Sequence, residues 1–150
     1  MPPLPISKSL ARRRLPDDVR GTVSIEFAIL MPVFFAILFG IIVFGVQYAT
    51  RIALTYAAAE GGRAAVAGLN DGERQTLATN AITNALNALS PLVNPAKATI
   101  SVNLARENSS EEITISIAYN DTRFAELPFV PQLGNLAPVT VSYYVTDPSG

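Results

Sequence analysis

The sequence predicts an α+β chain. A long N-terminal transmembrane helix continues into a second, amphipathic helix, which packs on a small antiparallel sheet of about three strands. Three observations carry this reading. Residues 27–46 form a 20-residue run, FAILMPVFFAILFGIIVFGV, without a charge. Apolar residues then recur at helical spacing at Leu77, Ala81, Ile82, Ala85, Leu86 and Leu89. Finally, apolar and polar residues alternate with period two around residues 100–104, 113–119 and 139–145.

At about 1.5 Å per residue the apolar run is roughly 30 Å long, the thickness of a bilayer core. It exceeds the usual apolar stretch of a cleaved secretory signal, about 7–15 residues. A helix apolar on every side needs lipid or a larger protein around it. Residues 1–21 hold five basic residues (Lys8, Arg12, Arg13, Arg14, Arg20) and two acidic ones (Asp17, Asp18), and the rest of the chain is net acidic. By the positive-inside tendency, the N-terminus lies in the cytoplasm and the residues after about 47 lie outside. Pro32 sits early in the run and permits a kink. Gly40 and Gly45 are five apart, so they do not form the GxxxG spacing of close helix pairs.

Composition excludes several function classes. The chain has neither Cys nor His. Disulfides and thiolate metal sites are impossible, and the commonest general base and metal ligand is missing. Lys97 is the only Lys after the leader and has no catalytic motif around it, and Glu111 and Glu112 alternate to opposite faces of a strand. There is no Gly-rich phosphate loop and no basic patch in the distal part, so nucleic acid is not an expected partner. No enzyme activity, cofactor, metal or small-molecule substrate is expected.

The approach to the apolar run is more specific. Gly21-Thr22-Val23-Ser24-Ile25-Glu26-Phe27 places a Gly five residues before a Glu, followed by an aromatic, behind a short basic leader. This resembles the processing site of type IV pilins and, more closely, of the tight-adherence (Tad/Flp) pseudopilins, whose pattern is G-x-x-x-x-E-[YF]. After the run, Glu60-Gly61-Gly62-Arg63-Ala64-Ala65 is similar to the E-G-[AG]-R-A-A segment of TadE-like proteins. The resemblance covers mainly residues 12–68. It implies a minor pilin or pseudopilin of the bacterial inner membrane, cut by a prepilin peptidase after Gly21. Thr22 would then be the new N-terminus, and other pilins and the Tad assembly proteins would be partners. Glu26 and Phe27 complete the processing site. Glu26, Pro32, Glu60, Gly61, Gly62 and Arg63 are the candidate assembly contacts.

These readings divide the chain into a basic leader (1–21), a transmembrane helix with its extracytoplasmic extension (22–68), and a small extracytoplasmic α+β domain (69–150). The extension is expected to end near Ala59 or Ala67. Asn70 or Asp71 is available as the N-cap of the second helix, which should end at Ser90-Pro91. Gly61-Gly62 reads either as a hinge or as a close-packing site, and Glu60 and Arg63 are spaced to pair weakly on one helix face. Residues 120–138, with three prolines and a glycine, read as a loop whose Phe124, Leu127, Phe129, Val130 and Leu133 cover the sheet or meet another subunit. The reading from another functional class is an uncleaved single-pass anchor that presents a ligand-binding or sensory module.

Overall fold

The computed structural model describes residues 19–107, 110–124 and 135–146. The elements run α1 (Val19–Val66), α2 (Asp71–Ala88), a 3₁₀ turn (Pro95–Lys97), then β1 (Ala98–Glu107), β2 (Ser110–Asn120) and β3 (Asn135–Thr146). The chain divides into two units, Met1–Phe35 and Ala36–Gly150. In the first, the described residues all belong to α1. Their side chains from 23 onward are exposed, apart from a partly covered Met31. Phe34 and Phe35 meet edge to face with ring centroids 5.9 Å apart.

The second unit holds the α+β fold predicted from the sequence. Its sheet has the order β1-β2-β3, antiparallel throughout. Register follows directly from the alternation. Ile100, Ile117 and Val139 lie side by side, as do Val102, Ile115 and Val141, and Leu104, Ile113 and Tyr143. Ile113, Ile115 and Ile117 on the central strand are fully buried. The opposite face carries Ser101, Ser116 and Thr140 in one row and Asn103, Thr114 and Ser142 in the next.

The helices close the apolar face. α2 contributes Ala78, Ile82 and Leu86 to the core, and α1 contributes Leu54, Ala57, Ala58 and Ala65. Asn70 is the N-cap of α2: its side-chain oxygen accepts from Glu73 N at 2.9 Å, and the Glu73 carboxylate accepts from Leu69 N at 2.9 Å. α2 stops at Ala88, just before Ser90-Pro91.

α1 ends at Val66, at the later of the two expected limits. Two details were not expected. The residues before β1 include the 3₁₀ turn, started by Asn94 accepting from Ala96 N. β3 begins at Asn135 and so takes in Pro138, which lay inside the expected loop. That proline is tolerated because β3 is an edge strand. Of the loop residues singled out above, Phe124 is half-buried; Leu127, Phe129, Val130 and Leu133 lie outside the described residues.

Candidate functional site

Two segments of α1 carry the candidate residues. The first is the entrance to the apolar run. Gly21 and Thr22 lie within the first turn of α1, because the helix begins at Val19. Glu26 and Phe27 are exposed, as are Val23 and Ile25 beside them. Pro32 lies inside α1 without ending it. Among the described residues, α1 is the one helix long and apolar enough to cross a membrane, by length and composition.

The second segment is Glu60-Gly61-Gly62-Arg63. Glu60 and Arg63 form the expected i,i+3 pair: Arg63 Nε donates to Glu60 Oε2 at 3.2 Å. Both side chains remain substantially exposed, so the pair adds little to stability. The two glycines face inward and are buried. A Cβ on Gly61 would collide with the Ile82 side chain on α2 and lie 3.3 Å from the Ala78 carbonyl oxygen. A Cβ on Gly62 would collide with the Tyr143 ring on β3. The Tyr143 hydroxyl donates to Ala59 O at 3.1 Å, so the ring is held against α1 one turn away. Of the two readings left open by the sequence, this geometry is that of close packing.

A third cluster was not foreseen. The Asp121 side chain is buried just after β2 and accepts from Arg123 Nε at 2.9 Å. The same guanidinium donates from Nη2 to Thr50 Oγ1 and from Nη1 to Leu92 O, each at 2.8 Å. Thr50 is buried in α1 and its hydroxyl donates to Val46 O at 2.9 Å. One arginine thus joins α1, the segment after α2 and the end of β2. Its hydrogen bonds hold the Asp121 carboxyl below the usual carboxylate range, against the opposing effect of burial. At the other end of the sheet, Arg106 Nη2 reaches Asp71 Oδ1 at 2.8 Å, and Arg74 pairs with a mostly buried Glu111. These ties join the elements of the head to one another. Among the described residues, no group of three or more acidic side chains gathers in a metal-holding arrangement.

No sequence signal for Arg123 exists, since it lies 73 residues from Thr50. The candidates on α1, by contrast, sit in two short linear motifs. A comparison with family models finds the family described as TadE-like protein over residues 21–63. No curated protein and no solved structure matches the chain. The matched stretch begins at Gly21, takes in Glu26 and the apolar run, and ends at Arg63. Over these residues, the chain is similar to TadE-like proteins.

Proposed function

We propose that the chain is a minor pilin or pseudopilin that acts in assembly of a tight-adherence (Flp) pilus. It is trimmed by a prepilin peptidase after Gly21 and held by one helix in the inner membrane, with its N-terminus cytoplasmic and its head outside. The observation that carries this reading is the TadE-like match, which starts at the glycine of the motif and runs through the whole apolar segment.

Physical chemistry supports each part. The Gly21–Thr22 bond lies in the first turn of α1, where backbone N–H groups have no intrahelical acceptors and the helix opens most easily. Cleavage there creates a cationic α-amine on Thr22, four residues before Glu26. In a low-dielectric bundle of helices, such an amine and the Glu26 carboxylate neutralise each other, within a chain or between neighbours. Pro32 and the exposed Glu60/Arg63 pair remain the other assembly contacts. Gly61 and Gly62 contribute through the head, by letting α1 seat against Ile82 and Tyr143.

Intact-mass analysis of the membrane form tests the reading. Thr22 is expected as the first residue in cells with an active prepilin peptidase, and retention of residues 1–21 would reject it. Glu26→Gln is expected to weaken co-purification with pilus components more than membrane insertion; co-purification at the unsubstituted level would remove Glu26 from the assembly contacts.

A further inference from the structure

The sequence sets the bilayer at residues 27–46, where the uncharged run lies. Exposure along α1 draws a different boundary. From residue 23 to residue 42 no side chain is buried. Val43 is then only 1% exposed, and Gln47, Thr50 and Leu54 continue the same covered stripe at spacings of four, three and four. Ile42 and Phe44, beside Val43, stay open at 48% and 53%. Protein therefore covers one face of the helix inside the apolar run, while its other faces still need an apolar solvent.

Beyond Val43 the covered stripe turns polar. Gln47 is the next residue of the stripe, and at Thr50 the contact is the Arg123 guanidinium with its Asp121 partner. Seven residues separate Val43 from Thr50, about 10 Å along the axis. With the bilayer at 27–46 the protein lying over Val43 would stand among acyl chains, where backbone and side-chain polar groups find no partners, whereas sliding an apolar helix by one turn costs little. α1 allows that slide, because its helical backbone begins at Val19 and stays hydrogen-bonded across residue 23.

We propose that the lipid-embedded part of α1 is residues 23–42, displaced by four residues from the uncharged run, so that the head rests in the outer headgroup layer. The proposal rests on the reading of α1 as membrane-spanning. Twenty residues still cover about 30 Å. Tyr48 and Arg51, both exposed, stand clear of the acyl chains among headgroups and water, where amphipathic side chains are favoured. At the other end, Glu26 moves from the boundary to about 5 Å inside it. A carboxylate at that depth is uncomfortable in lipid and gains most from an ammonium partner, such as the α-amine of a trimmed neighbour.

The absence of Cys makes the test clean, since each introduced thiol is unique. The full chain is reconstituted in phosphatidylethanolamine–phosphatidylglycerol liposomes, with a nitroxide at Ile25→Cys, Val33→Cys, Ile37→Cys, Phe44→Cys or Leu69→Cys. Depth is read from the balance of oxygen and nickel-chelate accessibility. All five native side chains are exposed. The expected profile is deepest at Val33, with Ile25 deeper than Phe44 and Leu69 fully aqueous. A profile deepest at Ile37, with Phe44 deeper than Ile25, overturns the displacement and leaves the membrane reading standing. Aqueous signals at all five positions overturn both. No peptidase is present, so failure of the processing reading cannot produce any of these outcomes.

Discussion

Two pairs of glycines on α1 play opposite parts. A Cβ placed on Gly40 or Gly45 meets nothing within 4 Å, whereas one placed on Gly61 or Gly62 runs into Ile82 or Tyr143. In the sequence Gly40 and Gly45 stand among apolar residues and Gly61-Gly62 between Glu60 and Arg63, yet all four glycines cost helix stability relative to alanine by a similar amount, about 1 kcal/mol each in water. What differs is the neighbour. Around residues 61 and 62, α2 and β3 approach the helix backbone closely, and the missing side chains are the room they occupy. Around residues 40 and 45, the described part of the molecule leaves the helix surface open. Glycine is therefore required in one stretch and only tolerated in the other.

The largest way to break the closed stretch is to remove what ties α1 to the head. Arg123→Ala leaves the buried Asp121 carboxylate without its cation and frees Thr50 and the Leu92 carbonyl. Stranding one member of a buried pair costs about 3–5 kcal/mol, and the lower end applies because Arg123 itself reaches water. Denaturant unfolding of the full chain in micelles should show a clearly lowered midpoint. Arg123→Lys should recover little, since a single ammonium cannot serve three acceptors with the geometry of a guanidinium.

Gly62→Ala comes next. Overpacking against the Tyr143 ring costs about 1–3 kcal/mol, offset in part by the gain in helix propensity. A double-mutant cycle with Tyr143→Ala is the measurement, and the second change should cancel most of the first if the ring is the obstacle. Gly61→Ala should cost less, because the obstacle is mostly the flexible Ile82 side chain, and Ile82→Val should relieve it.

Acid gives a graded version of the same break. The Asp121 carboxyl is held below its ordinary value, chiefly by the Arg123 side-chain hydrogen bond. A depressed folded-state pKa stabilises the fold above the unfolded value, about 3.9 for aspartate, and the contribution is lost as pH falls through the folded value. The unfolding midpoint should therefore decline below about pH 4, and Asp121→Asn should flatten that decline while lowering the midpoint at neutral pH.

How much of this was legible beforehand depended on distance along the chain. The Glu60/Arg63 pair is local, so it could be named from spacing alone, while Gly21 and Glu26 are singled out only by resemblance to a short linear motif. The sheet was legible because Ile113, Ile115 and Ile117 alternate with polar residues, and a period of two admits few other folds. Alanines are a weaker signal: Ala57, Ala58 and Ala78 are fully buried, yet they carry little weight in an apolar pattern. Pro138 hid the start of β3, because a proline reads as loop unless the strand is known to lie at an edge. The contact of Arg123 with Thr50 joins residues 73 positions apart and leaves no local trace. Nor can residue type alone mark where the head begins to cover α1, since Val43 is as apolar as the exposed residues around it.

The smallest effect is expected at the open pair, and it carries the most information about assembly. Gly40→Ala and Gly45→Ala add a methyl group where nothing stands within 4 Å. The head should therefore unfold at an unchanged midpoint, within about 0.5 kcal/mol as for substitutions away from packed features. Thermal or denaturant unfolding alongside Gly62→Ala checks that contrast. The same variants can then be tested for co-purification with pilus components. Unchanged recovery is expected if Gly40 merely faces lipid and Gly45 the headgroup layer, since their spacing of five does not place them on one close-approach stripe. A loss of partners at Gly45→Ala, with the head still stable, would show that the open surface is reserved for another helix. The two pairs would then differ only in when the close approach is made: during folding at Gly61 and Gly62, and during assembly at Gly45.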